Sequence, residues 1–303
     1  MTIRSLQHFA LSVPDPDAGR KFYEDFGLET KKSNGAVVMR CFGRKQDQVV
    51  LLEGKQKRFH HLCLGTKASE FEATKRSIER AGHRLVDPPR EFEAEGLCVR
   101  DPDGRLVNIR VAAAAPARGG ELWRLNTPGH IARIGKRGYP PHDMKVRPRR
   151  LGHVLFFTPD IDRQIDFYVG VLGMKLSDRA KDVVAFLRNE GASDHHVVAF
   201  LKSDRPGFHH ASFEVGNVDE IGLGAKRLLD AGYQNGWGLG RHVIGSNFFH
   251  YIRDPWMSLA EYFCDIDHIP AKGWKAKDWP LDDALYIWGP NVPDDFGKNF
   301  EAA

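Results

Sequence analysis

Two rhythms of apolar and polar positions alternate along the chain. Short runs rich in β-branched and aromatic residues, at 153–157 (HVLFF), 183–187 and 197–201, fit strands with at least one buried face. Between and after them lie longer stretches with apolar residues at helical spacing. One opens at Asp160, placed to cap a helix, and stops at Gly173; a second spans 218–231 and stops at Gly232. Residues 210–215 begin another strand, and further strands are predicted near 241–244, 248–253 and 259–264. A strand, a helix and three strands thus recur as a βαβββ unit. Four such units fill most of the chain, which predicts an α+β fold of mixed sheets, each covered on one side by helices.

The units pair into two similar halves. Residues 7–30 match 152–176, each with His, an apolar run, Pro-Asp, Phe-Tyr and a glycine near the helix end. Residues 59–86 match 208–234 through FHH, and 96–112 match 248–265. The expected organisation is an N-terminal domain at 1–115, a connector at 116–149, a second domain at 150–265 and a tail at 266–303. The tail carries Trp274, Trp279, Tyr286, Trp288 and Phe296, too aromatic for a disordered segment. It is expected to pack on the second domain or on a neighbouring subunit, as a candidate cap over the substrate entrance.

Composition narrows the function classes. At 303 residues, 42% hydrophobic and 28% charged, the chain has enough apolar material for two domains. No apolar run reaches the ~20 residues of a membrane helix. The first residues, MTIRSLQHFALSV, lack the apolar core of a secretory leader. Cys41, Cys63, Cys98 and Cys264 stand far apart with no CxxC pair, as expected of reduced thiols in the cytoplasm. The net charge of +4 comes from 44 basic and 40 acidic residues interleaved along the chain, which does not favour a nucleic-acid partner. The basic run at 136–150 reads as a solvated connector.

The 14 histidines carry the chemistry. By strand alternation His210, Ser212 and Glu214 share a face opposite Ala211, Phe213 and Val215, which places His209 on the covered side. Phe249, Tyr251 and Arg253 face one way and His250 and Ile252 the other, while Leu259, Glu261 and Phe263 share a face. His153, His210 and Glu261 then offer two imidazoles and one carboxylate from three strands. That set suits non-haem Fe(II) or Mn(II) and leaves three adjacent coordination positions open. Taken singly, each is more readily an isolated strand residue. The repeat changes the weight: His8 and His61 match the two histidines, but Asn108 replaces the carboxylate. The second half is therefore read as catalytic and the first as scaffold.

With these residues the chain resembles the type I extradiol ring-cleaving dioxygenases of the vicinal oxygen chelate superfamily, the group of catechol 2,3-dioxygenase and dihydroxybiphenyl dioxygenase. The resemblance covers residues 1–265. The family's signature is Gly-x-His, an apolar residue before Tyr, Asp-Pro-x-Gly, and Glu. It reads here as Gly240-Arg241-His242, His250-Tyr251, Asp254-Pro255 and Glu261. His250 replaces the apolar residue, and Trp256-Met257-Ser258 replaces the glycine turn that the first half keeps as Asp101-Pro102-Asp103-Gly104. These departures imply altered packing rather than lost chemistry.

The resemblance implies a glyoxalase-like fold with His153, His210 and Glu261 as metal ligands. It implies His196 as the residue that handles protons and meets bound oxygen, and His242 with Tyr251 at the substrate oxygens. A catecholic substrate, O2, Fe(II) by default with Mn(II) as the other option, and a homo-oligomer follow from it. Leu155, Phe186 and Ile244 are candidates for an apolar wall around a ring substituent. Arg188 reads as a surface arginine more readily than as the partner of a substrate carboxylate. A glyoxalase-like lyase or isomerase with Zn or Ni would need a second carboxylate ligand. A non-catalytic binding protein of this fold is expected to lose the triad in both halves.

Overall fold

The computed structural model describes residues 2–33, 35–89, 95–114 and 124–301. Residues 116–123 of the expected connector lie outside the described residues. In the first half, β1 (Ser5–Val13), α1 (Pro16–Asp25), β2 (Glu29–Ser33), β3 (Ala36–Arg40) and β4 (Val49–Glu53) form one unit. β5 (Arg58–Thr66), α2 (Ala68–Arg80), β6 (Leu97–Arg100) and β7 (Leu106–Val111) form the next. These strands make one mixed sheet in the order β2-β3-β4-β1-β5-β7-β6. Among the described residues, the first strand expected after α2 is reduced to a single bridge between Leu85 and Val99.

The second half repeats the plan with β8 (Arg150–Thr158), α3 (Ile161–Ile165), β9 (Lys175–Ala180), β10 (Val184–Arg188), β11 (Ser193–Asp194) and β12 (Val198–Lys202). It continues through β13 (Gly207–Glu214), α4 (Val218–Asp230), β14 (Asn235–His242), β15 (Phe248–Arg253) and β16 (Leu259–Cys264). Asp160 caps α3 by accepting from the Arg163 amide at 3.0 Å, and the following turn, Asp166–Val171, widens to a π-helix before Gly173. Asn217 caps α4 through the Glu220 amide at 3.1 Å. β14 starts well before the expected 241–244, because its ladder with β15 runs from Asn235 opposite Ile252 to Arg241 opposite Phe248. In the altered turn, Met257 takes φ +68, close to the +83 of Gly104 in the first half. The backbone path is kept although the glycine is not.

The tail adds β17 (His268–Ile269), β18 (Lys277–Asp278) and β19 (Tyr286–Trp288). β18 pairs with β9 and β19 with β14, so the second sheet reads β18-β9-β10-β12-β8-β13-β16-β15-β14-β19. The tail packs on the second half of its own chain and covers both edges of that sheet, which bare edge strands require.

One apolar core spans the two halves. Phe9 stacks on Phe208 at 5.0 Å and Phe26 on Tyr262 at 3.9 Å, and the Tyr262 hydroxyl donates to the Phe26 carbonyl at 2.7 Å. Burying such side chains is worth on the order of 2–3 kcal/mol apiece, so the shared core holds the halves together. The basic run departs from expectation at its C-terminal end. Arg147 lies over the Phe42 ring at 3.7 Å, Arg149 pairs with Glu220 at 2.6 Å, and Arg150 pairs with Glu214 at 2.7 Å and Asp194 at 2.5 Å. Arg149 and Arg150 tie the end of the run to carboxylates of the second half, while Arg147 stays exposed against a first-half ring.

Near the chain end, Glu301 is buried and accepts from Lys57 Nζ at 3.1 Å and from the amides of Phe59 and Phe208. Glu301→Ala leaves the buried Lys57 ammonium without its counter-charge. Urea unfolding should show a loss of about 3 kcal/mol.

Candidate metal centre and the residues around it

Strand register gathers the site. His153 on β8 stands opposite Ser212 on β13, Ser212 opposite Glu261 on β16, and Glu261 opposite Tyr251 on β15. Cross-strand partners share a face, so His153, Glu261 and Tyr251 project together across the small Ser212. His210, two residues before Ser212, joins the same face. One ligand atom from each of His153, His210 and Glu261 lies within 4.8 Å of the others, and all three side chains are buried. His153 Nε2 is 3.1 Å and His210 Nε2 3.6 Å from Glu261 Oε2. The second Glu261 oxygen accepts from Asn247 Nδ2 at 3.2 Å.

His209 corrects the expected alternation. A bulge between Phe208 and His210 in the β13–β8 ladder turns both histidines to the same side. His209 meets the Phe157 and Phe296 rings edge-on, each at 4.9 Å. Its Nε2 lies 2.8 Å from the Phe296 carbonyl and its Nδ1 lies 2.6 Å from His210 Nδ1. A carbonyl only accepts, so the neutral His209 carries its proton on Nε2 and His210 carries its own on Nδ1. Burial holds both rings below their ordinary pKa, His209 at about 4. His210 Nε2 is then a lone pair, buried without a hydrogen bond and turned toward a carboxylate. Two imidazoles and one carboxylate, converging with an orphaned ring nitrogen on His210, fit a divalent cation.

Three further expected residues stand around this set. His196, just before β12, has its ring 4.2 Å from that of His153, and Phe186 lies 4.8 Å from His196. His242 Nε2 is 3.0 Å from the Tyr251 hydroxyl, and its Nδ1 donates to the Leu285 carbonyl at 2.8 Å. The Tyr251 ring is also 5.2 Å from that of His210. Burial, and next the neighbouring imidazoles, hold His196 well below its ordinary pKa. Burial lowers His242 and, reinforced by the Glu261 carboxylate, raises Tyr251 well above its ordinary value, so both are neutral at pH 7. Gly245 adopts φ +89, and a Cβ there would lie 3.2 Å from the His196 ring. Only glycine lets this turn approach so closely.

Leu155 is buried on β8, two residues beyond His153 and on the same face. Ile244 is buried in the turn beside Gly245. Arg188 is a correction: it is buried rather than on the surface, and its Nη1 donates to the Leu176 carbonyl at 3.2 Å. His250 points away from the site, with its Nε2 2.9 Å from Asn235 Oδ1. Four participants escaped the sequence reading: Asn247, His195, Asp178 and the Leu285 carbonyl. Only His195 had a signal, as the first half of a His-His pair.

The first half carries the same row, His8 opposite Cys63, Cys63 opposite Asn108, and Asn108 opposite Cys98. There His8 Nε2 and His61 Nε2 are hydrogen-bonded at 2.8 Å. The Asn108 amide donates to the Glu95 and Leu97 carbonyls at 3.1 and 3.2 Å, and its oxygen accepts from the Cys63 thiol at 3.1 Å. The position that holds a carboxylate in the second half is here a neutral amide bound to backbone.

Asn247→Ala, which frees one Glu261 oxygen, should weaken Fe(II) or Mn(II) binding 10–100-fold, read by competition with a chelating dye. His250 generates a pH prediction. Burial sets its pKa at about 4 against the ordinary 6.5, so between those values the unfolded chain binds a proton that the folded chain does not. Its share of stability is complete above pH 6.5 and is lost as pH falls toward 4, by about 1.4 kcal/mol per unit. Urea unfolding from pH 7 to 4.5 should show a shallower pH slope for His250→Gln than for the wild type, by about one proton.

Comparison with known proteins places this geometry. Residues 5–109 and 150–262 match the model of the Glyoxalase/Bleomycin resistance protein/Dioxygenase superfamily. The chain is 40% identical over 309 aligned positions to Metapyrocatechase 2 of Cupriavidus necator, covering 99% of this chain and 93% of that protein. It is 26% identical to the Iron-dependent extradiol dioxygenase of Rhodococcus jostii (strain RHA1), covering 95% and 97%. The Mn(II)-bound glyoxalase from Novosphingobium aromaticivorans superposes with a TM-score of 0.78 at 26% identity, covering 97% and 94%. The chain belongs to the Glyoxalase/Bleomycin resistance protein/Dioxygenase superfamily, in its extradiol dioxygenase branch.

Proposed function

We propose that this protein opens a catecholic ring beside its diol, incorporating both atoms of O2, at an Fe(II) ion held by His153, His210 and Glu261. The observation that carries the reading is the convergence of those three buried groups with His196 on one flank and the His242–Tyr251 pair on the other. Mn(II) accepts the same donors. Among the described residues no second carboxylate joins the cluster, which disfavours a glyoxalase-type centre. When bound, the metal supplies adjacent positions for the diol and dioxygen and a path for electron density between them.

The chain's own residues do the rest. Tyr251 stays protonated and donates its hydroxyl hydrogen, and with His242 it positions a substrate oxygen. His196 has Nδ1 engaged by His195, so its Nε2 is the nitrogen left to hold or move a proton. Leu155, Phe186 and Ile244 form the apolar surroundings of the ring or its substituent. Burial of all three ligands excludes water from the charge that develops.

Loading with Fe(II) under anaerobic conditions, followed by catechol and air, should consume oxygen and give a yellow ring-fission product. His210→Ala and Glu261→Ala should lose metal retention by elemental analysis. His196→Phe should keep the metal and lose turnover by at least about 100-fold. Metal-loaded protein that consumes no oxygen with any catechol would reject the reading.

A further inference from the structure

Behind His196 a line of buried hydrogen bonds runs outward to the C-terminal tail. His196 Nδ1 lies 3.0 Å from His195 Nδ1, and His195 Nε2 lies 3.0 Å from Asp178 Oδ2. The other oxygen of Asp178 accepts from the Lys277 amide at 2.6 Å, which holds the carboxylate against β18. His195 is 1% exposed and Asp178 4%, and Trp274 closes over the His195 ring at 5.9 Å while its indole N–H donates to the Ser177 carbonyl at 2.9 Å. Phe186 covers the other side of both imidazoles, at 5.8 Å from His195 and 4.8 Å from His196.

The hydrogen bonds along this line admit one consistent set of donors and acceptors for neutral rings. In that set His195 donates from Nε2 to the Asp178 carboxylate and keeps its lone pair on Nδ1. Among the described residues the partner of that lone pair is His196 Nδ1, which must therefore carry a hydrogen. His196 Nε2 is then the unprotonated nitrogen.

We propose that Asp178 and His195 are positioning residues that lock His196 in one orientation and in its Nδ1–H tautomer, so that Nε2 is presented as the proton acceptor. The assignment rests on the role given to His196 under the dioxygenase reading. When Nε2 takes a proton from the catecholic hydroxyl, the O–H bond breaks, an N–H bond forms, and the substrate gains the negative charge that the ring gains as positive. His195 continues to accept from Nδ1–H, and Asp178 continues to accept from His195. No proton needs to pass down the line. The carboxylate acts as the third member of a serine-protease triad does, by fixing a tautomer and facing a transient imidazolium.

Asp178→Asn tests this without changing shape. The amide oxygen still accepts from Lys277, but its N–H₂ group faces His195 Nε2 and reverses both tautomers, moving the His196 proton to Nε2. The Fe(II) enzyme should keep its metal content, its melting temperature and, within about 3-fold, its KM for catechol, while kcat falls about 100-fold or more. In Zn(II)-loaded protein labelled with 15N-histidine, two-bond 15N–1H correlations should report the Nδ1–H tautomer for His196 in the wild type and Nε2–H in the variant. A wild-type His196 in the Nε2–H form would overturn the proposal. So would a variant with an unchanged kcat, or one that loses activity only in step with metal and melting temperature. If the wild type consumed no oxygen with catechols, the dioxygenase reading would fail, and the NMR comparison would still decide the relay.

Discussion

Glu261 has no exposed surface, and a carboxylate in that position must be met by donors or by positive charge. The arrangement around it follows from that requirement. Asn247 and His153 each lie within hydrogen-bond distance of it, while burial keeps His210 and His242 from supplying charge. For His210 and His242 the ring nitrogen remote from the centre is committed to a partner that leads to a main-chain carbonyl. The nitrogen near the centre is thereby stripped of its proton. A buried anion that faces the His210 lone pair is a poor arrangement for an empty pocket and a good one for a cation.

The duplicated half shows what happens when that requirement is lifted. Asn108 occupies the same place in the same cross-strand row but brings no charge, and neutral partners suffice: two backbone carbonyls and a thiol. His8 and His61 then satisfy each other directly. The first half has become a packing partner, contributing Phe9 and Phe26 to the core beneath the second sheet. Within the three-residue set, Asn108 in place of Glu261 is the change that removes the buried charge.

Much of this was legible in the chain. The fold came from two periodicities and a repeat, and His153, His210 and Glu261 came from strand alternation weighed with that repeat and with the family resemblance. What stayed hidden has physical reasons. The bulge at Phe208/His210 inserts one residue into the count and turns His209 over, and nothing in FHH marks it. Arg188 is long and charged, which suggests solvent, but the Leu176 carbonyl gives its guanidinium a buried acceptor. Asp178 sits in no motif, and it matters only because β9 lies two strands from β12. The tail's contributions are hidden more deeply still. It works through the carbonyls of Leu285 and Phe296 and the amide of Lys277, groups that nearly every amino acid supplies, so no side-chain pattern records them.

That tail also imposes an order of assembly. Synthesis runs from the N-terminus, so the candidate ligands leave the ribosome before the tail segments that fix the rings around them. His242 waits for Leu285 to fix its ring, His209 and through it His210 wait for Phe296, and Lys57, made near the start, has no counter-charge until Glu301 emerges almost at the end. A nascent chain therefore carries an unfinished centre throughout its elongation. A product truncated before Leu285 would keep the ladders that align the three ligands and lack the carbonyls that orient the His242 and His209 rings.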